Sequence, residues 1–191
     1  ASGAAMDATD ARQLSDGELV GRRQITDYFS FLRHEVPGFA NASIVDIAAQ
    51  IGVRETRRIQ GQYVLTGEDI LASSRFDDAV GINAWPMELH TAGRIDWQFP
   101  RNWDSTDSRV YNDLPWRMLL PAKVDNLLVA GRCASMTHEG QSAARVSGAC
   151  FVMGQAAGTA AAMLSSSQTF ADINVKDLQQ NLIRDAVYLD N

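Results

Sequence analysis

Residues 126–163, NLLVAGRCASMTHEGQSAARVSGACFVMGQAAGTAAAM, carry the densest chemistry of the chain. An apolar run, Leu127-Leu128-Val129-Ala130, ends at Gly131. A polar loop follows, then a long stretch of small residues suited to a helix packed close to a sheet. Strand, glycine, loop and helix N-terminus make a ready seat for a phosphate- or flavin-bearing ligand. The first amides of a helix have no partner inside it, and its dipole attracts negative charge. The amides in question belong to Arg145, Val146, Ser147 and Gly148, and Arg145 adds its own positive charge. Small residues packing without any ligand give the same composition. The GxGxxG turn that opens most dinucleotide sites is absent from the sequence.

Other side chains have the right type for chemistry. His138, in Thr137-His138-Glu139, is a candidate proton donor or acceptor because imidazole titrates near neutrality. A loop histidine bonded to a backbone carbonyl reads equally well. Arg117, in Leu114-Pro115-Trp116-Arg117, is a candidate catalytic or cofactor contact, with Tyr111 nearby as a substrate contact or a core aromatic. His90 ends an extended segment and points either into a substrate cavity or to solvent. Arg54, Glu55, Arg57 and Arg58 form a charge cluster that suits a bidentate carboxylate site or an internal ion-pair network. Cys133 and Cys150 read first as small packed residues. Asp77-Asp78 and Asp104 to Asp107 offer carboxylates without metal-ligand spacing to histidine, so no metal is expected.

Composition narrows the class. The 191 residues are 46% hydrophobic, enough for a real core, with 17 basic and 23 acidic side chains for a net charge of −6. No basic stripe offsets the acidic total, which argues against nucleic acid as a partner. No apolar run reaches membrane-spanning length. The start, ASGAAMDATDARQ, lacks the blocks of a signal peptide and an initiator Met, which suggests a processed, trimmed or partial chain. Two cysteines make no disulfide framework and favour a reducing, cytoplasmic setting.

The elements that must position these groups follow from pattern. Residues 1–14 read as a flexible lead. Asp16 caps a helix to about Arg33, broken by Pro37-Gly38. Residues 43–50 and 63–65 read as strands, and Thr66-Gly67-Glu68-Asp69 as a helix start. Residues 79–90 are extended, 91–109 a loop, and 111–120 a strand that Pro115 turns into an edge or bulge. Residues 126–130 are expected as a buried strand, 145–164 as a helix, and 175–189 as an amphipathic helix with Leu178, Leu182, Ile183 and Val187 on one face. The fold class is α/β in the mixed α+β sense. The organisation is a lead (1–14), a substrate-side or interface region (15–120), a cofactor-closing segment (121–165) and a C-terminal helix (166–191).

Two long motifs, GVRETRRIQGQYVLTGEDIL (52–71) and residues 126–163, resemble the FAD-dependent oxidoreductase family, kin to the fumarate reductase and glutathione reductase-like flavoproteins. Residues 21–50 and 111–121 join the resemblance, which spans about residues 10–164. It implies FAD as cofactor and a chain that forms the C-terminal portion of a Rossmann-like FAD-binding domain plus part of a substrate domain. It implies that Gly131 and Arg132 lie along the pyrophosphate and ribityl chain. Ala144, Arg145 and Val146 would then meet the pyrimidine edge of the isoalloxazine. The family's N-terminal half, with GxGxxG, has no counterpart here. The leading expectation is therefore a component of a flavin dehydrogenase or oxidase that takes hydride from a small organic substrate. A companion chain would carry the other half. The alternative is a non-catalytic subunit or interaction module derived from a flavoprotein.

Overall fold

The computed structural model describes residues 6–91, 94–105 and 109–190. Asp107 and the first five residues of the expected lead lie outside these. The chain divides into two compact units, Ala4–Thr56 and Arg57–Asn191.

The first unit is built on α1 (Ala11–Glu35). Its cap is Asp10, whose carboxylate accepts from the Arg12 and Gln13 amides, so the helix starts a turn and a half before the expected Asp16. The expected stop holds: α1 ends at Glu35, and Gly38 sits at φ +91. None of its residues is buried. Residues 43–50 form no strand, and Val45 is 96% exposed. Their β-branched side chains have no neighbouring strand to pair with, and propensity alone does not make a sheet. The segment is instead tied to α1 by the Ile51 amide donating to Glu18 at 2.6 Å.

The second unit contains α2 (Gly67–Leu71), β1 (Ala79–Asn83), β2 (Met87–Thr91), β3 (Arg94–Gln98), β4 (Asn112–Pro115), α3 (His138–Ala144), α4 (Ser147–Met163) and α5 (Val175–Arg184). β1 pairs antiparallel with β4, and the register slips between Ala79↔Pro115 and Ile82↔Asp113, where proline had signalled a bulge. β2 and β3 pair antiparallel, so part of the expected 91–109 loop is a strand. The architecture is thus helices with small antiparallel sheets, consistent with a mixed α/β class. Among the described residues the parallel pairing is an isolated bridge, Leu65↔Met136. Residues 126–130 form no strand: Leu127 is exposed, and the Val129 amide reaches the Leu119 carbonyl at 3.0 Å. α5 stops at Arg184, short of the expected Leu189; Leu178 and Leu182 are buried as expected, while Ile183 is exposed.

Small residues let backbones approach. A Cβ on Gly81 would fall 1.8 Å from Val152 Cγ1, so α4 lies directly on β1. Ala149, Met153, Ala156 and Ala160 face the core at helical spacing, together with Leu65, Leu114, Met118 and Leu178. Among the described residues no single helix is long and apolar enough to cross a membrane; α3 and α4 reach the length together but meet at 93°.

The 52–71 motif has a local structural role. Thr66 caps α2 in a capping box with Asp69, as the sequence signalled. Asp69 also accepts from the Tyr63 hydroxyl at 3.0 Å on both oxygens. Burial first, and then this hydrogen bond to Asp69, push the Tyr63 phenol up to about 12 from its ordinary 10.0. Because the folded value is the higher one, the folded state holds this proton longer. The stability it contributes is complete below the unfolded value and is lost as pH rises towards about 12. Ultraviolet titration of the four tyrosines should show Tyr63 titrating late, beside Tyr111, which its bond to Tyr188 also holds up, and Asp69→Asn should bring only Tyr63 down; a titration that Asp69→Asn leaves unchanged would refute the placement.

Gly140 is the tightest seat. A Cβ there would lie 2.3 Å from the Leu65 carbonyl oxygen, a backbone atom that also accepts from the Thr137 amide at 2.9 Å. Gly140→Ala should cost about 1–3 kcal/mol, the usual penalty of overpacking. Denaturant melts would show a lower midpoint at unchanged slope. A loss under about 0.5 kcal/mol, within the surface-substitution range, would mean that α3 does not rest on that carbonyl.

Candidate functional site

Gly131 opens the site at φ +74, a conformation that disfavours any side chain. It begins a 3-10 turn, Gly131–Cys133, closed by the Ala134 amide on the Gly131 carbonyl at 3.0 Å. The turn rests on the first turn of α4, since a Cβ on Gly131 would lie 3.8 Å from Cys150 Sγ. The Cys150 thiol donates to the Arg145 carbonyl at 3.3 Å. Burial pushes that thiol up, while the Arg132 charge pulls it down, which places Arg132 beside the same turn. Cys150 is a packed thiol, and Cys133 is exposed.

α3 supplies the other wall. Thr137 caps it by accepting from the Gly140 amide at 3.1 Å, and Gly140 through Ala144 are buried. The Arg145 amide closes α3 by donating to the Gln141 carbonyl at 3.0 Å. It is therefore spent inside α3, which corrects the expectation that it belongs to the exposed set. Val146 is extended, and α4 starts at Ser147 with no side-chain cap and no acidic residue in its first turn. Ser147 and Gly148 are exposed, and a Cβ on Gly148 would meet nothing within 4 Å. The positive end of a 17-residue helix is thus open and uncapped.

Arg145 fixes its charge next to this end. Its Nε donates to the Ser142 carbonyl and its Nη2 to the Glu88 carbonyl of β2, both at 3.4 Å. The expected cofactor residues Gly131, Arg132, Arg145, Val146 and Ser147 therefore converge. Ala144 belongs to the set only through its backbone, because its side chain is fully buried. An electron-rich edge or a phosphate fits this arrangement: bare helix amides, two arginines and a glycine turn that brings backbone close.

The remaining candidates separate. His90 lies on β2, the strand that Arg145 touches, and its Nε2 is 2.8 Å from Glu88 Oε1. Sequence reading missed Glu88, whose role depends on alternate residues of a strand sharing a face. His138 is the exposed first residue of α3. Its charge helps to hold the Glu139 carboxyl low, behind Glu139's own amide and the Thr137 hydroxyl and ahead of Arg58. Arg58, from the charge cluster, thus lies near enough for its charge to act on Glu139. Arg117 is held bidentately by Asp78, with Nε to Oδ2 at 2.9 Å and Nη2 to Oδ1 at 3.2 Å. Its carbonyl accepts the Tyr63 amide at 3.3 Å, so it works as an anchor between segments. The Tyr111 hydroxyl meets Tyr188 and Asp190 near the C-terminus. Neither Arg117 nor Tyr111 has its polar partners in the 131–147 cluster. Among the described residues no group of three or more His, Cys, Asp or Glu is placed to hold a metal ion.

Comparison with known proteins gives the family. The profile of the FAD dependent oxidoreductase family matches residues 2–182. No curated protein and no solved structure matches the chain. The family implies FAD as cofactor and a flavin-linked redox role. With a match across most of its length and a bare helix terminus framed by Gly131, Arg132 and Arg145, the chain belongs to the FAD dependent oxidoreductase family.

Proposed function

We propose that this chain is the C-terminal portion of a flavin-dependent dehydrogenase or oxidase, completing a Rossmann-like FAD-binding domain whose GxGxxG segment comes from polypeptide outside these residues, in the leading case a companion chain. The observation that carries this reading is the uncapped first turn of α4 beside the Gly131 turn and Arg145. The outward face of α4 supports it. Gly148, Gly154 and Gly158 would each accept a Cβ without contact, and Phe151 between them is 76% exposed. Such a face suits close packing by another layer.

When bound, FAD supplies the acceptor for a hydride equivalent from a small organic substrate. The chain's own groups do the rest. The Ser147 and Gly148 amides and the Arg145 guanidinium hold negative charge at the ring edge. Gly131 and Arg132 hold the phosphate-bearing arm. Glu88 fixes His90 through Nε2, leaving Nδ1 to take the substrate proton.

The first test is spectroscopic. The chain purified with a GxGxxG-bearing companion should be yellow, and the chain alone colourless. No flavin in either preparation would favour the non-catalytic interaction module, for which the wholly unburied α1 is the supporting feature. In the flavin-loaded assembly, Arg145→Ala should cut flavin retention or make the reduction potential more negative, because a positive group beside the reduced ring is gone. Full occupancy at an unchanged potential would remove Arg145 from the site. His90→Gln should lower kcat by about 10²-fold or more at unchanged flavin content, and His138→Gln by less than about tenfold. The reverse order would give the proton to His138.

A further inference from the structure

A cleft in which Arg75 and Lys176 stand against Asp77, Asp113 and Asp190 lies between β1 and α5, away from the cluster just described. Its volume is about 510 Å³, and Arg75, Lys176 and Asp190 are among the residues that line it. The tail gets there by a sharp turn. After α5, Ala186 adopts φ +63, and the Val187 amide returns to the Leu182 carbonyl at 2.9 Å. Tyr188 and Asp190 are thereby folded back against β4 and the residues before it.

Asp190 sits where several donors converge. Its Oδ2 lies 3.0 Å from Arg109 Nε, 3.3 Å from Arg75 Nη1 and 3.1 Å from the Tyr111 hydroxyl. The Arg75 guanidinium also donates to the Asp190 carbonyl. Arg109 is largely buried, stacked 4.2 Å over the Tyr111 ring and paired on its other side with the buried Asp113. Two arginines and a phenol aimed at one carboxylate oxygen are the donor set of a carboxylate receptor.

The fit of the tail is incomplete. Arg109 Nε, although close to Asp190, is the buried side-chain nitrogen or oxygen among the described residues that makes no hydrogen bond. A buried donor left in that state is costly, and a better-aligned acceptor would recover the difference. Lys176, also in the lining, makes no ion pair among the described residues. Lys176 Nζ donates to Gln179 Oε1 at 3.0 Å and approaches the Asp77 carbonyl at 3.5 Å, both neutral acceptors. With Asp190 withdrawn, Arg75 and Lys176 of the lining balance Asp77 and Asp113, and Arg109, uncovered behind Asp190, adds the surplus positive charge of a cleft of small-molecule size.

We propose that this cleft binds a small organic polycarboxylate, one carboxylate displacing Asp190 from Arg75, Arg109 and Tyr111 while another reaches Lys176. Asp190 is then an internal competitor, and binding frees the 187–190 tail. The inference stands independently of the flavin site.

Calorimetric titration of the full chain with citrate tests it. Asp190→Asn should raise citrate affinity at least tenfold over wild type, and a chain ending at Tyr188 should match that gain. Adding Lys176→Gln to Asp190→Asn should reverse most of it, and so should Arg75→Gln; both side chains are exposed, so the fold should survive. Acetate, with one carboxylate, should bind far more weakly than citrate in Asp190→Asn. Equal citrate affinity in wild type and Asp190→Asn, no loss on Lys176→Gln, or acetate binding as well as citrate would each overturn the proposal. Hydrogen exchange gives a second readout: citrate should speed exchange of the Val187 to Asp190 amides in wild type. Protection unchanged at saturating citrate would refute displacement of the tail.

Discussion

At Arg145 and Val146 two helices meet at 93° instead of running on as one. In a continuous helix the amides of Ser147, Gly148 and Ala149 would each bond four residues back and have nothing to offer. The junction releases them. It holds because each helix is pinned to a different backbone. α3 is seated by Gly140 on the Leu65 carbonyl and capped by Thr137, whose own amide bonds the same carbonyl. α4 is seated by Gly81 on Val152. Neither seat tolerates a sliding helix, so the two axes cannot straighten into one. Val146, β-branched and extended, suits the corner.

That constraint explains why small residues crowd this stretch without being interchangeable. Gly140 and Gly81 are there because backbone or side chain occupies the space of a Cβ. Gly131 is there because its φ is positive. Gly148, Gly154 and Gly158 have no such cause in this chain, since each has open space where a Cβ would stand. Glycine in an exposed helix interior costs about 0.5–1 kcal/mol relative to alanine. Two of these positions, Gly154 and Gly158, lie one turn apart in the interior of α4 and are therefore a local cost that the described contacts do not offset. A closely packed neighbour there would offset it, which is the physical weight behind a second layer from another polypeptide.

Legibility in the sequence followed the range of the interactions. The capping box at Thr66 and Asp69, the break at Pro37-Gly38, the irregularity at Pro115 and the small-residue helix all rest on neighbours within a few residues, and each was readable. The convergence of Gly131, Arg145 and Ser147 was readable as far as order along the chain dictates it: glycine, loop, helix terminus. The strands expected at 43–50 and 126–130 failed because apolar content does not reveal whether a pairing partner exists. Asp10 was missed for Asp16 because the first turns of α1 are weakly patterned, and a cap is recognised by what it bonds. Glu88 beside His90 needed the strand to be known first. The pairs Arg117 with Asp78 and Asp190 with Arg75 span 39 and 115 residues, distances over which type and spacing carry no signal.

Charge adds the last step. The chain carries a net −6, yet the first turn of α4 beside Arg145 stands against that total. Net charge acts over the whole surface and is screened beyond about 8–10 Å at ordinary salt. Inside a cleft what counts is which carboxylates come within a few ångströms. Arg117 meets Asp78 and Arg101 meets Glu68, so these arginines are matched locally. The first turn of α4 contains no acidic residue of its own, and the helix dipole adds to Arg145 in place of opposing it. An acidic protein can therefore offer a strongly anion-attracting site provided its carboxylates are committed elsewhere. Here the capping boxes of α2 and of the 170–172 turn, and the pairs on Arg117 and Arg101, commit them.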